Sequence, residues 1–355
     1  MKKNKSHAAA LFAAALAALT VFGAAPAGAL NLYYGDIHSH TSFSDGEGIP
    51  EEAFDYARTT GKADFWTVSD HLEQLDKRQD LLEGAAPVDE FEHTMKVADE
   101  KDDPGKFAAF AGFEWATDVS QGHINVLNAK SIPSVNKTYR LKQFYKWIYD
   151  NPDAMMGFNH PAEPDGFRFN NFELVPAIAR QVFFCAVTRE RDIPYFYNSL
   201  DAGWWLAPSG HQDNHSRNWG THPNGNFTGV YAEELTRESI IEAFRARRFF
   251  ATNDRASKIM LTGNGQPMGA RLTAESATLE IDVANGGGAK ISTVSLIGNG
   301  GETLEKWTPG SAEFKVSASR AASTGKTLWF VVFAEFDNGR YIMSAPIWLR
   351  SEAGI

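Results

Sequence analysis

Cysteine is almost missing from this chain. Cys185 is the only one in 355 residues, so no disulfide can form within it. Its neighbours, QVFFCAV, are apolar, which marks a buried structural thiol rather than a nucleophile. Basic runs are also missing beyond Lys2, Lys3 and Lys5. With 34 basic and 44 acidic residues the formal net charge is -10. That balance argues against nucleic acid as a main partner, although bound metal ions can still hold a small anionic substrate locally. Long hydrophobic stretches are missing outside the first thirty residues, so no membrane span is expected once a leader is removed.

What is present is ordinary globular composition, 43% hydrophobic and 22% charged, enough for one large domain or two smaller ones. The N-terminus reads as a secretory signal peptide. Lys2, Lys3 and Lys5 precede an Ala/Leu-rich run, and Ala27-Gly28-Ala29 places small residues at a cleavage site. The alternative is an uncleaved anchor. Cleavage implies a periplasmic or secreted protein. Export without disulfides is tolerable, because a core of about three hundred residues stabilises itself.

From Asn31 to about Asp254 short apolar runs alternate with helical patterns. ADFWTVSDH (63–71), FAAFAGFEW (107–115), HINVLNA (123–129), AMMGFNHP (154–161) and QVFFCAV (181–187) read as strands. Helices are expected from Pro50, with Glu51 and Glu52 in its first turn, over Thr138–Asp150, and from a Thr236 cap to Arg248. This alternation predicts an α/β fold with mostly parallel strands. After Arg255 the pattern changes to alternating strands separated by turns such as Asn285-Gly286-Gly287-Gly288. A small antiparallel β-sandwich is expected there. The expected division is 1–29 signal peptide, 30–255 α/β domain and 256–355 β-sandwich domain.

Polar residues gather at the ends of the expected strands. His38 and His40 follow the first, in GDIHSHTSFSDG, and Asp45 lies five residues further on. His71 ends the second, Glu114 the third, His123 precedes the fourth, and His160 ends the next. Asp213 and His215 stand two apart in SGHQDNH. Loops beyond strand C-termini converge in α/β folds, so residues from 38 to 215 can meet. At least five strand ends carrying His, Asp or Glu point to a shared metal site. No Ser/His/Asp or Cys/His arrangement offers another catalytic engine.

The ordered motifs GDIHSHTSFSDG, FWTVSDH, GFE, NHP and DNH resemble the PHP (polymerase and histidinol phosphatase) superfamily from Leu32 to Asp254. The stretch GVYAEELTRESIIEAFRARRFFATND is similar to its exported, carbaryl-hydrolase-like branch. The resemblance implies a distorted (β/α)7 barrel with two or three divalent ions in its mouth. It implies a first ion on His38, His40, Glu114 and Asp213. Glu114 would bridge to a second ion on His123 and His160, and Asp45, His71 and His215 would hold a third. His123 could instead bind substrate. Imidazoles with carboxylates suit zinc, manganese or iron rather than calcium.

Further candidates keep two readings each. Asp36 and Asp70 either orient a ligand histidine or cap a turn. His211 either donates a proton to a leaving group or is a loop residue. Arg217, and less so Arg189, either meets a substrate phosphate or lies on the surface. Trp204, Trp205 and Trp219 either wall the pocket or fill the core. His93 and His222 read as structural. The function expected is a metal-dependent phosphoesterase: a metal-activated hydroxide attacks a small-molecule phosphate ester, and water, His123 or His211 protonates the alcohol. An amide, carbamate or carboxyl-ester hydrolase on the same site is the alternative. A non-catalytic carbohydrate- or surface-binding protein is a third reading. The leader makes one direct prediction: intact mass spectrometry of the protein from its native host finds a chain beginning near Leu30, and a chain retaining Met1 contradicts the cleavage.

Overall fold

Strand β1 (Asn31–Asp36) is the first element of the computed structural model, which describes residues 30–75, 89–118, 120–162 and 168–351. The expected signal peptide lies outside the described residues. The chain continues through α1 (Pro50–Thr59), β2 (Phe65–Val68), α2 (Leu72–Leu75), α3 (Glu90–Lys101), β3 (Ala108–Trp115) and β4 (Ile124–Leu127). Then come α4 (Val135–Thr138), α5 (Leu141–Asp150), β5 (Met155–Phe158), β6 (Val182–Ala186), α6 (Ile193–Asp201) and β7 (Ala207–Ser209). Strand β8 (Phe227–Ala232), α7 (Arg237–Arg245) and β9 (Phe249–Thr252) complete this part.

The local signals are used as expected at several helix starts. Pro50 occupies the first turn of α1, and the Ile49 N–H donates to Glu52 Oε2 at 3.3 Å. The Ser239 N–H donates to Thr236 Oγ1 at 3.2 Å, capping α7. The expected single helix over 138–150 is instead two, α4 and α5, with Arg140 extended between them at φ -104° and ψ 146°. No helix among the described residues is long and apolar enough to cross a membrane.

The strands line up in the order β9-β8-β1-β2-β3-β4-β5-β6-β7. The expectation of mostly parallel pairing needs correction. Pairs β1–β2, β2–β3, β5–β6 and β6–β7 are parallel, but β1–β8, β8–β9, β3–β4 and β4–β5 are antiparallel. The reason is local at β3–β4: the connection across 116–123 is too short for a parallel crossover, and its described residues form no helix. The sheet curls until the end of β7 meets β8. Thr228 Oγ1 donates to the Gly210 carbonyl at 2.7 Å, and a Cβ on Gly210 would lie 2.4 Å from the Phe227 carbonyl oxygen. Only glycine permits that approach.

Residues beyond Ser257 form strands with one short turn of 3-10 helix between them: β10 (Ser257–Gly263), β11 (Gln266–Pro267), β12 (Arg271–Thr273), β13 (Ser276–Asn285) and β14 (Ile291–Gly298). They continue as β15 (Glu302–Trp307), β16 (Glu313–Ala321), β17 (Thr327–Phe336), β18 (Tyr341–Met343) and β19 (Ile347–Arg350). One sheet runs β11-β10-β13-β16, antiparallel throughout. The other joins β12, β19, β17, β14 and β15, and β18 ties it to the first part, with Ile342 beside Thr252 and Met343 beside Ala251. Alternation along β13 turns Ala277, Leu279, Ile281 and Val283 inward, where they share a core with Val294, Leu296 and Val332 of the facing sheet. The same apolar cluster reaches Phe65, Phe184 and Val230 of the curled sheet, so the two parts pack as one body.

Cys185 sits fully buried in β6, where burial pushes its thiol well above the ordinary cysteine range. Replacing it by Ala leaves a small cavity. Chemical denaturation should show a loss of about 1 kcal/mol with unchanged secondary structure. A loss of hydrolytic turnover without a loss of stability would contradict the structural assignment.

Candidate metal centre

The strand ends converge as the sequence implies. The loop after β1 brings His38 and His40 into the interior, both fully buried, and their Nε2 atoms lie 3.0 Å apart. Glu114, near the end of β3 and only 1% exposed, sits at the middle of the cluster. Its Oε2 is 3.2 Å from His38 Nε2, 3.5 Å from His40 Nε2 and 3.2 Å from His71 Nδ1. Its Oε1 is 3.3 Å from both His123 Nδ1 and His160 Nε2. Asp213 Oδ1 closes the first group, 3.4 Å from His38 Nε2 and 3.2 Å from His40 Nε2.

These spacings test whether the residues suit a cation. Four ligand atoms set tetrahedrally at zinc-to-nitrogen or zinc-to-oxygen bond lengths lie about 3.3–3.5 Å from one another. Five of the six separations among His38, His40, Glu114 and Asp213, all but that between the two carboxylates, run from 3.0 to 3.5 Å, and His38, His40 and Asp213 form a set of ligand atoms close enough for one ion. The Glu114–His123 and Glu114–His160 separations match them. The third group is looser: Asp45 Oδ1 is 3.2 Å from His215 Nε2, 3.7 Å from His71 Nε2 and 3.8 Å from His40 Nδ1. His40 and His71 therefore each face two groups with different ring nitrogens. Glu114 Oε2, His71 Nδ1 and His123 Nδ1 are also buried without a hydrogen-bond partner. Orphaned buried acceptors are costly, and a cation satisfies them.

The charges point the same way. Burial works against ionising Glu114, yet the imidazoles of His38 and His123 hold its carboxyl well below the usual range. Burial opposes ionisation of Asp213 too, and His38 and His40 overcome it. Burial lowers His38 despite both carboxylates. At His40 burial is outweighed by the hydrogen bond to Asp213 and the charge of Glu114, which lift it to about 9. The pocket is built to stabilise positive charge between its carboxylates.

The other candidates fall into distinct places. Asp36 touches no imidazole: its Oδ1 accepts the His38 N–H and its Oδ2 the Gln212 N–H, both at 2.8 Å, so one buried carboxyl ties two ligand-bearing loops together. Asp70 likewise accepts from Thr41 N–H and Thr41 Oγ1 at 2.7 Å and from Ser44 Oγ at 2.5 Å, fixing the turn that carries Asp45. Trp219 is buried and donates to the His40 carbonyl at 3.1 Å. Trp204 and Trp205 precede β7, at the opposite end of that strand from Asp213, and do not wall this site. His211 is 1% exposed and meets the His38 ring edge-on at 4.8 Å; burial keeps it neutral. Arg217 is exposed and lies 3.5 Å from Glu52. Arg189 leads into a short turn in which its N–H donates to Asp192 Oδ2 at 3.1 Å. His93 pairs with Glu51 at 2.9 Å, and His222 accepts from the Asn224 N–H at 3.3 Å.

Sequence reasoning missed Asn159. Its Nδ2 donates to Glu114 Oε1 at 2.6 Å, and its own N–H donates to the His123 carbonyl at 3.0 Å. The only signal was its place beside His160 in FNHP.

No family model matches the chain, and no curated protein matches it. Solved structures do. A two-domain protein from Bacteroides vulgatus ATCC 8482, described as containing a predicted PHP-like metal-dependent phosphoesterase, aligns at 18% identity and a TM-score of 0.50. The alignment covers 89% of this chain and 96% of that one. The CARDB domain of a Pyrococcus furiosus protein aligns at 16% identity and a TM-score of 0.20, covering 28% of this chain and 95% of that one. The first likeness shows the fold: this chain shares the mixed α/β, sheet-rich fold of that two-domain protein.

Exchanging Glu114 for Gln keeps the shape and removes the charge. Metal stoichiometry and turnover should each fall by at least about 10–100-fold, the range known for ligand-supporting contacts. Circular dichroism should remain unchanged, since Glu114 lies at a strand end. Wild-type metal content and rate in the folded variant would remove Glu114 from the centre.

Proposed function

We propose that residues 30–255 are an exported metal-dependent phosphoesterase and that 256–355 form an accompanying β-sandwich domain. The curl of the sheet, closing where β7 meets β8, supports reading the first unit as the distorted (β/α)7 barrel of the PHP superfamily. The observation that carries the functional reading is Glu114, a buried carboxylate ringed by five imidazoles at 3.2–3.5 Å. The Bacteroides vulgatus protein that shares the fold is described as containing a predicted PHP-like metal-dependent phosphoesterase, which favours the same chemistry here.

His38, His40, Glu114 and Asp213 would hold one ion, and Glu114, His123 and His160 a second. Asp45, His71 and His215, more widely spaced, would hold a third less firmly. Zinc, manganese or iron suits such nitrogen and oxygen donors. When bound, the ions supply an acidified water and neutralise phosphoryl charge. The protein does the rest. Asn159 holds Glu114 Oε1, Trp219 and Asp36 fix the His38–His40 loop, and Asp70 fixes the turn before Asp45. If His160 and Glu114 hold the second ion without it, His123 is the better-placed proton donor to the leaving alcohol, because its side chain is 28% exposed whereas His211 is 1% exposed. Arg217 gives up an exposed partner, Glu52, at little cost and can then meet a substrate anion.

Strong chelation followed by dialysis should abolish turnover of aryl phosphates, and Mn²⁺ or Zn²⁺ should restore it. The wild-type enzyme should prefer aryl phosphates to matched aryl carbamates and carboxyl esters. Full activity in demonstrably metal-free protein sinks the metal reading. Turnover confined to carbamates or carboxyl esters moves the chemistry to the carbonyl hydrolases of the carbaryl-hydrolase-like branch.

A further inference from the structure

Four consecutive residues near the metal centre wind left-handed. Phe169, Asn170, Asn171 and Phe172 have φ of 49°, 52°, 54° and 57°, so they form one left-handed turn. Elsewhere among the described residues positive φ outside glycine occurs only singly, and two of those positions are the ligand candidates His160, at 24°, and Asp213, at 51°. Asparagine tolerates this region, whereas the Cβ of phenylalanine crowds the backbone there. Such a turn persists only where its surroundings over-determine it, and strain of this kind gathers at functional sites.

The surroundings here are specific. Phe169 and Phe172 are buried, and both rings meet Phe158, with centroids 4.5 and 5.2 Å away. Trp204 Nε1 donates to the Phe172 carbonyl at 2.8 Å. Inside the turn the Phe172 N–H donates to the Phe169 carbonyl and the Glu173 N–H to the Asn170 carbonyl, both at 3.1 Å. The first two N–H groups of a helical turn find no acceptor within it. Here both go to one residue. The Phe169 N–H donates to the Gln121 carbonyl and the Asn170 N–H to Gln121 Oε1, each at 2.8 Å. Gly122 rests against the Phe169 ring, where a Cβ would lie 2.8 Å from Cζ.

These contacts bracket two of the imidazoles around Glu114. Gln121 and Gly122 lead directly into His123, whose Nδ1 is 3.3 Å from Glu114 Oε1. Phe158 ends β5 and leads through Asn159 into His160, whose Nε2 is 3.3 Å from the same oxygen. The Asn159 N–H donates to the His123 carbonyl at 3.0 Å and joins the two segments. The first ion's ligands are fixed by other groups, since Asp36 and Trp219 hold the backbone at His38, His40 and Gln212. We propose that the left-handed turn is a positioning element for the second ion. It seats His123 through Gln121 and Gly122 and His160 through Phe158, and so sets the spacing of both imidazoles on Glu114 Oε1. Gln121 is then a positioning residue, acting on the ion only through His123. The inference rests on the proposed metal centre and adds the residues that fix its second position.

The test is calorimetric titration of Mn²⁺ into the metal-free full chain, with Asp213→Asn and His160→Gln marking the steps of the first and second ions. Gln121→Ala removes one of the two acceptors that the turn uses, and Gly122→Ala pushes the loop off the Phe169 ring. Each should weaken the second step by at least about tenfold, the scale on which groups that orient a metal ligand act. The first step should keep its wild-type affinity. Gln121→Glu retains an acceptor oxygen and should restore the second step. Circular dichroism reports folding for every variant. Gln121 is half-buried, so Gln121→Ala is expected to fold even if Gly122→Ala does not. Wild-type protein that takes up no metal overturns the metal centre itself and this inference with it. Where the wild type binds its ions, the inference alone is overturned by any of three results: a wild-type second step in folded Gln121→Ala, equal weakening of both steps, or a Gln121→Glu variant as weak as Gln121→Ala.

Discussion

The arrangement depends on one buried carboxylate. Glu114 is 1% exposed, and the interior penalises its ionised form. Its charge survives because His38, His40 and His71 surround one oxygen and His123 and His160 the other. Those imidazoles come from the ends of β1, β2 and β5 and the start of β4, so the carboxylate can be satisfied only when all these strands are in register. The centre is thus complete only in the fully folded sheet. Once deprotonated, these imidazoles supply lone pairs rather than charge, and a set of acceptors this dense then calls for cations between them.

Around that centre the loops are held by hydrogen bonds that spend no ligand atom. Asp36 clamps the backbone at His38 to the backbone at Gln212, although 174 residues of chain separate those two sites. Ser39 bridges to Asn214, and His71 bridges to Glu114, extending the strand pairing past the regular strand ends. Asp70 and Trp219 add fixed points on Thr41 and on the His40 carbonyl. Pre-positioning of this kind keeps ligand spacing from depending on the ion alone.

Much of this was legible in the sequence because its signals are local. The strands around Phe65, Ala108, Ile124, Met155 and Val182 are short buried apolar runs; those at Phe65, Ala108 and Met155 end at or beside a ligand candidate, and that at Ile124 begins beside one. The starts of α1 and α7 follow from Pro50 and Thr236. Pair direction was not legible at β3–β4, because it depends on the length of 116–123 and on neighbours remote in sequence. The break at Arg140 was hidden because Tyr139 and Leu141 keep the apolar rhythm of a single helix. Helices α3 and α6 were not singled out: α3 combines a modest apolar stripe with many charges, and α6 is short. The roles of Asp36 and Asp70 stayed open for the same reason, since their partners Gln212 and Thr41 become neighbours only in the fold.

The second part of the chain is joined to the first too intimately to be a passive appendage. Strand β18 extends the sheet of β9, and one apolar cluster runs from Phe65 and Phe184 to Ile259 and Val332. A Cβ on Gly269, in the turn before β12, would lie 2.0 Å from the Ala246 carbonyl oxygen, so this turn docks directly on the end of α7. That docking seals Arg247 between Phe183 and Trp205. Among the described residues no carboxylate pairs with it; a buried guanidinium in that state is costly, and carbonyl acceptors with aromatic faces recover only part of that cost. Burial together with the charge of Arg271 pulls Arg247 down to about 9. A hydrophobic side chain of similar volume would seal the same junction without that cost. Packing alone therefore does not account for a guanidinium here, whereas its hydrogen bonds to the carbonyls of Trp205, Val182 and Arg245 tie the ends of three separate segments together.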